Sequence, residues 1–167
     1  MLIDNFSHKN LITKLGTQWY SVSDKVMGGI SEVSVSYGSF GSRSCIFLTG
    51  DVRTENNGGF IQVALNLAKS GKTFDASEFV GIRLVVRGNG EKYSMHLRTQ
   101  DNVRPWQSYR ASFTTTSGWK TIELPFVTFL PYRVNAPLDT TKLRRIGLVA
   151  IGRAFRADLA LSEVSFY

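Results

Sequence analysis

The dominant pattern along the chain is a short-range alternation of apolar and polar side chains. Residues 31–37 show it most clearly, since Val33, Val35 and Tyr37 alternate with polar residues. Such a period of two is typical of β-strands with one buried face. The pattern predicts strands at Ser31–Tyr37, Cys45–Gly50, Phe60–Leu67, Val80–Arg87, Lys92–Thr99, Gln107–Thr115, Trp119–Leu124, Arg145–Ile151 and Phe155–Tyr167.

Turn-forming residues separate these strands, at 38–41, 56–59, 88–90 and 117–118. Many short strands divided by such turns are typical of an all-β antiparallel β-sandwich or jelly roll. Helical signals are confined to a short turn at 142–144 that Asp139 would cap, and another at 65–70. The length of 167 residues suits one core. We therefore expect residues 1–167 to form a single jelly-roll domain.

Two strand pairings can be predicted in register. Asn89-Gly90 is a typical two-residue hairpin turn, and it would place Val86 opposite Tyr93. The next connection, 101–105, would place His96 opposite Arg110. If both pairings hold, one face of the sheet carries Arg83, His96, Arg98, Trp106 and Arg110. These arginines either pair with acidic residues from loops, or they form a polar groove in which Trp106 is a stacking platform.

The two most specific motifs each contain adjacent glycines. WYSVSDKVMGGIS spans Trp19–Ser31, and ENNGGF spans Glu55–Phe60. Adjacent glycines are tolerated where the backbone needs positive φ or where another group approaches closely. One interpretation is a pair of ordinary turns, and the other is a binding corner. In the second, the residues that position the turns and bind a ligand or partner are Asp24, Asn56 and Asn57.

These motifs occur together with others in a recognisable order. The full set is Trp19, Val22, Asp24, Val26–Gly29 and Ser31, then Asn56–Phe60, then Arg87-Gly88, Gly90 and Tyr93, then Trp106, Tyr109, Trp119, Leu124–Phe126 and the closing segment Phe155–Tyr167. The set resembles the complex I intermediate-associated protein family of the thirty-kilodalton type, over nearly the whole chain. The resemblance implies a galactose-binding-like domain. For mitochondrial members it also implies a chaperone-like role in the assembly of respiratory complex I.

Charge is distributed unevenly along the chain. The formal net charge is +7, and it comes entirely from residues 81–167, which hold 13 basic and 6 acidic side chains. A basic half predicts an acidic partner, or it serves only solubility. Nucleic acid is not expected, because basic and aromatic residues do not interleave along one strand and no recognition helix is indicated.

Catalytic and metal-binding motifs are absent from the sequence. No G-x-S-x-G motif occurs, and the Gly71-Lys72-Thr73 triplet lacks the first glycine of a phosphate loop because position 66 is Asn. Cys45 is the only cysteine, so no intramolecular disulfide can form. We expect no enzyme activity, no catalytic residues, no metal site and no cofactor. A structural calcium ion, held by Asp24, Asp51 or Asn56, stays open.

The sequence leaves two functions. The first is a non-catalytic protein-binding module, a chaperone-like assembly factor resembling those for respiratory complex I, with a respiratory-complex subunit as its partner. Trp106, Tyr132, Arg98 and Arg133 would be its anchors. The alternative is a carbohydrate-binding jelly-roll module that uses a groove with Trp106, Arg98, His96 and Gln62.

The location of the protein is also an expectation. No apolar run approaches the roughly 20 residues of a transmembrane segment. The first residues, MLIDNFSHKN, lack the features of a signal or transit peptide. We therefore expect a cytoplasmic bacterial protein. The oligomeric state is not predicted.

Overall fold

The computed structural model describes residues 1–167, which form twelve β-strands. The strands are β1 (Leu2–Asp4), β2 (Tyr20–Ser23), β3 (Glu32–Phe40), β4 (Arg43–Val52), β5 (Phe60–Asn66), β6 (Gly81–Gly88), β7 (Lys92–Thr99), β8 (Ser108–Thr114), β9 (Lys120–Pro125), β10 (Leu130–Tyr132), β11 (Leu143–Ile151) and β12 (Phe155–Phe166). A back sheet has the order β3-β4-β12-β6-β9, with β1 also beside β12. A front sheet has the order β10-β8-β7-β11-β5-β2.

The predicted all-β jelly roll is confirmed, and all nine predicted strands are present. The pattern missed the short strands β1, β2 and β10, which contain too few residues for an alternation to be visible. Helical structure is limited to 3₁₀ turns at Asp24–Met27, Glu55–Asn57, Phe126–Thr128 and Thr140–Lys142. None of these turns has the length or hydropathy that a membrane-spanning helix requires.

The helical turn predicted at 142–144 has the predicted cap but lies at Thr140–Lys142, because Leu143 and Arg144 belong to β11. Asp139 caps the turn Thr140–Lys142, because its carboxylate accepts a hydrogen bond from the Thr141 backbone N–H. The turn predicted at 65–70 is wrong in its first residues, since Leu65 and Asn66 belong to β5. Both residues pair with β11, so the ladder of the sheet outweighs the local helical preference.

The core lies between the two sheets, where 32 buried apolar residues form one cluster. Trp19, Tyr93 and Tyr109 are its largest fully buried side chains. The Trp19 indole N–H donates to the buried carboxylate of Asp4 at 2.9 Å, so its one polar atom is satisfied. Cys45 is also buried.

The predicted hairpin between β6 and β7 is wrong. The two strands are consecutive, but β6 lies in the back sheet and β7 in the front sheet. Val86 and Tyr93 are both buried, as the alternation requires, and they face the core from opposite sheets. Asn89 stabilises the connection between the two sheets. Its side chain accepts a hydrogen bond from the Tyr93 hydroxyl at 2.7 Å and donates one to the Arg156 carbonyl at 2.8 Å.

The predicted pairing of β7 with β8 is confirmed, since His96 lies opposite Arg110. The wrong assignment of β6 has one consequence for the site. Arg83 lies on β6 and therefore on the back sheet, away from His96 and Arg110.

One buried carboxylate connects the two glycine motifs. Asp24 is completely buried, and its oxygens accept hydrogen bonds from the Ser31 hydroxyl at 2.5 Å, the Ser31 N–H at 3.0 Å and the Gly59 N–H at 2.6 Å. The Phe60 N–H is a longer fourth donor at 3.3 Å. The Ser31 hydroxyl in turn accepts from the Arg53 N–H at 2.8 Å. The ends of β2 and β4 and the starts of β3 and β5 therefore meet around this carboxylate.

We predict that Asp24→Asn lowers the free energy of unfolding by about 2 kcal/mol or more, measured by denaturant titration. The amide has the same shape but offers only one acceptor oxygen and introduces donors that face N–H groups. A variant as stable as the parent protein would show that these hydrogen bonds contribute little.

The same carboxylate predicts an acid dependence of stability. Burial raises the pKa of Asp24, but the hydrogen bonds from Ser31, Gly59 and Phe60 outweigh burial and hold the pKa below its ordinary value. Because the folded state favours the ionised form, this stabilisation is present above about pH 4 and is lost as the pH falls below it. The difference in the free energy of unfolding between the parent protein and Asp24→Asn should therefore be smaller below about pH 4 than at neutral pH.

A third prediction concerns the first glycine pair. Gly28 ends the turn Asp24–Met27 with φ +88°, a conformation that β-branched residues rarely adopt. We expect Gly28→Val to destabilise the fold by more than about 1 kcal/mol. Gly118→Val is the matched control, because Gly118 has ordinary φ and open space around its Cα. Equal melting temperatures for the two variants would contradict the prediction.

Candidate functional site

A groove of about 780 Å³ crosses the outer face of the front sheet. Alternate residues of its strands point away from the core and form the floor, while loops on both sides form the walls. The lining residues are Val22, Val26, Met27, Thr54, Asn57, Gly58, Gly59, Phe60, Gln62, His96, Arg98, Pro105, Trp106, Gln107, Ser108, Arg110, Tyr132, Arg133, Arg145, Val149, Ile151 and Gly152.

Strand register brings the charged residues to one corner of this floor. Arg145 on β11 lies opposite Arg98 on β7, and His96 lies opposite both Gly147 and Arg110. The neighbouring strand β10 places Tyr132 opposite Ser108. We call the set Arg98, Arg110, Arg133 and Arg145 the cationic corner.

No carboxylate neutralises the cationic corner. The groove lining contains no Asp or Glu, and none of the four arginines takes part in an ion pair. Burial, and after it the charge of Arg145, lowers the pKa of the Arg98 guanidinium. Burial also lowers the pKa of Arg110, with Arg133 adding to the shift. Charges of one sign are therefore held close together on a partly desolvated surface, which favours an anionic ligand.

Two aromatic rings stand at the edge of the cationic corner. Trp106 is 44% exposed and Tyr132 is 37% exposed. The guanidinium of Arg110 lies 3.7 Å from the centre of the Tyr132 ring, and that of Arg133 lies 5.2 Å from it. These cation–π contacts fix the guanidinium planes without using up their hydrogen-bond donors.

Arg98 also holds the loop that carries Trp106. Its guanidinium donates to the Pro105 carbonyl at 2.8 Å and to the Asn102 carbonyl at 3.3 Å. Gln107 completes the loop, because its side-chain oxygen accepts from two backbone N–H groups and its amide donates to the Arg133 carbonyl. Trp106 is therefore presented by a loop with internal support.

The middle of the floor carries the polar side chains of His96 and Gln62. His96 is only 8% exposed, and its Nε2 has no hydrogen-bond partner. Burial, and after it the charges of Arg110 and Arg145, lowers its pKa to about 3, so the ring is neutral. Gln62 lies over Gly147, where a Cβ atom would come within 2.0 Å of the Gln62 oxygen. Glycine at this position leaves space for the Gln62 amide beside the histidine.

The opposite corner of the groove is apolar. Val22, Val149 and Ile151 line the floor there, and Val26 and Met27 stand above them on the turn that Asp24 anchors. We call these five residues the apolar corner.

The structure brings five of the eight predicted site residues into the groove, namely Asn57, His96, Arg98, Trp106 and Arg110. Asp24 is buried behind the apolar corner, where its carboxylate supports Gly59. Asn56 and Arg83 are outside the groove. Arg83 instead pairs with Glu123 at 3.2 Å and stacks on Tyr167 at 4.7 Å.

Sequence reasoning missed the apolar corner and the position of Arg145 in the groove. The signal is present in β11, where Arg145, Gly147, Val149 and Ile151 alternate with the core residues. Because the strand is buried on both faces over much of its length, the alternation is weak. No group of three His, Cys, Asp or Glu side chains comes together that could hold a metal ion.

Solved structures show where this fold occurs elsewhere. A family 11 carbohydrate-binding module from Clostridium thermocellum, solved in complex with a β-1,3-1,4-mixed-linked tetrasaccharide, superposes with a TM-score of 0.72. It is 16% identical, and the match covers 99% of this chain and 93% of that one. A family 11 module of a cellulosomal cellulase from the same organism gives a TM-score of 0.73 at 17% identity, covering 99% and 92%.

A family 30 carbohydrate-binding module of another C. thermocellum cellulase gives a TM-score of 0.64 at 15% identity, covering 88% of this chain and 90% of that one. Identities this low show a shared fold and nothing about the ligand. Among curated proteins, none matches the sequence. The family model described as Complex I intermediate-associated protein 30 (CIA30) matches residues 5–161, nearly the whole length. The chain therefore belongs to the CIA30 family.

Proposed function

We propose that this protein is a non-catalytic binding module whose groove holds an acidic segment of a client protein. The observation that carries the proposal is the cationic corner, where four arginines line the groove and no carboxylate lies among them. An acidic segment would supply the negative charge that the groove lining lacks. Arginine also favours bidentate hydrogen bonds to carboxylates.

The rigid setting of these arginines supports the proposal. Arg110 is stacked on Tyr132, and Arg145 donates to the Tyr20 hydroxyl at 3.3 Å. Side chains that are already ordered lose less conformational entropy when a ligand binds. Exposed Trp106 and the arginines are also the residue types that most often dominate binding energy at protein interfaces.

The composition of the groove argues against proton-transfer chemistry there. Its lining holds no Asp, Glu or Cys, and its one histidine is neutral with a pKa of about 3. A general acid or base works best with a pKa near the working pH. A role in holding a client is the simpler interpretation of this surface.

The family description suggests what the client is. Membership of the CIA30 family favours a chaperone-like role in the assembly of a respiratory complex, with an unassembled subunit as the partner. We propose the same class of client here, and a cytoplasmic location for the encounter. Affinity capture from the native cell, comparing the parent protein with a groove variant, would identify the client by mass spectrometry.

A second candidate is carbohydrate binding. Jelly rolls that superpose on this chain include modules of cellulases, one of them solved with a bound tetrasaccharide. Trp106 could stack on a sugar ring, while His96, Gln62 and Arg98 offer hydrogen-bonding groups. The unneutralised arginines are not needed for a neutral glycan, so we place this function second.

We predict that a double variant, Arg110→Gln with Arg145→Gln, weakens the binding of an end-capped oligoglutamate peptide by at least about tenfold. Each change removes charge-assisted hydrogen bonds to carboxylates. Fluorescence anisotropy of a labelled peptide measures the affinity. The affinity of the parent protein should also fall with added salt.

Arg83→Gln combined with Arg87→Gln is the matched control, because it removes the same two charges from a strand of the back sheet. It should change the affinity by less than about twofold. If this control weakens binding as much as the groove changes, net charge rather than the groove is responsible. Preferential binding of the mixed-linkage tetrasaccharide would favour the second candidate, and preferential binding of a DNA oligonucleotide would contradict both.

We also predict that the affinity for the peptide is nearly independent of pH between about 5.5 and 8. His96 does not titrate in this range because burial, and after it the nearby guanidinium charges, lowers its pKa to about 3. The only other histidine, His8, does not line the groove. A rise in affinity of about tenfold on acidification would mean that His96 becomes charged in the complex.

A further inference from the structure

We infer that the bound segment is amphipathic, with a bulky apolar side chain four or six residues away from its acidic residue. This inference rests on the proposed function and specifies the ligand of the same groove. It follows from the apolar corner, because an acidic side chain of the ligand does not account for apolar residues in the groove.

Two of the five side chains of the apolar corner are largely exposed to solvent. Val26 is 71% exposed and Met27 is 48% exposed, although both belong to a turn that is fixed from below by Asp24. They line the same groove as Val22 and Ile151, which are partly exposed, and Val149, which is only 1% exposed. Exposed apolar side chains gathered beside polar residues are typical of an interaction site.

The register of β11 sets the spacing between the two corners. Arg145 belongs to the cationic corner, and Val149 and Ile151 belong to the apolar corner on the same face of the same strand. At about 3.3 Å per residue, four to six residues correspond to roughly 13–20 Å. An extended peptide has the same rise, so side chains four or six positions apart would reach both corners and point the same way.

The polar middle of the floor suits a peptide backbone. Neutral His96 offers one N–H donor and one acceptor nitrogen, and the Gln62 amide offers both as well. The Nε2 atom of His96 has no hydrogen-bond partner on the protein, and the His96 side chain is more than nine-tenths buried. Such a buried orphan group is costly until a ligand pairs with it. A peptide group carries the complementary donor and acceptor.

This order of features favours a polypeptide over other occupants. A glycan presents hydroxyl groups along its whole length, and a nucleic acid strand presents phosphates at regular intervals. Neither matches a surface that is cationic at one end and aliphatic at the other. Charge complementarity at one corner and apolar surface at the other therefore indicate an acidic, amphipathic segment.

The test uses three end-capped peptides of equal length and the ¹⁵N-labelled protein. The first peptide has one Glu and one Leu four positions apart, the second has the same residues side by side, and the third has Ser in place of Leu. Dissociation constants come from NMR titration, which also locates the shifted residues. We expect the dissociation constant of the first peptide to be at least about fivefold lower than those of the other two.

Two variants show whether the apolar corner is responsible. Met27→Ser combined with Val26→Ser should abolish the advantage of the first peptide and leave the third unchanged. Val127→Ser is the control, because Val127 is 91% exposed and lies outside the groove. Equal binding of all three peptides would overturn this inference and leave the proposed function standing. If none of the peptides, nor oligoglutamate, shifts groove residues, the proposed function itself fails.

Discussion

The buried carboxylate of Asp24 is the interaction on which the rest of the structure depends. It accepts hydrogen bonds from the backbone N–H groups of Ser31 and Gly59, which lie 7 and 35 residues further along the chain, and through Ser31 it reaches the end of β4. Front-sheet and back-sheet strands are thereby joined at one point. A buried charge without hydrogen-bond partners lowers the free energy of unfolding. The carboxylate therefore stabilises the fold only when all of its donors are present. This explains why the motif combines Asp24, Ser31 and two glycine pairs.

The shape of the groove depends on the hydrogen bonds of Asp24 and on the stiffness of the front sheet beneath it. Four guanidinium groups of one sign would separate if their strands could move, but ladder hydrogen bonds hold Arg98 and Arg145 in register. Repulsion is therefore stored in the free protein and can be relieved by an anionic partner. The apolar corner is rigid for a different reason, because the turn that carries Met27 begins at the anchored Asp24. A client would meet a surface that is already shaped.

The alternation of side chains predicted the fold well because it records which side of each strand is buried. It could not identify the neighbour of each strand. Val86 and Tyr93 have the same pattern whether their strands pair side by side or face each other across a core, and this ambiguity put Arg83 in the wrong place. His96 and Arg110 were paired correctly because a short connection fixes their register. Arg145 and Val149 reach the groove through pairings between distant segments, which local patterns do not encode.

The position of β12 in the back sheet has a consequence for how the chain acquires its structure. This strand lies between β4 and β6 and also pairs with β1, yet it comprises residues 155–166. During synthesis, β4 and β6 are translated long before β12, the strand that separates them. Their edges therefore remain unpaired and prone to aggregation. The back sheet can therefore close only after residues 155–166 have been translated, and in a ribosome-bound fragment that ends before residue 155 the edges of β4 and β6 have no strand to pair with.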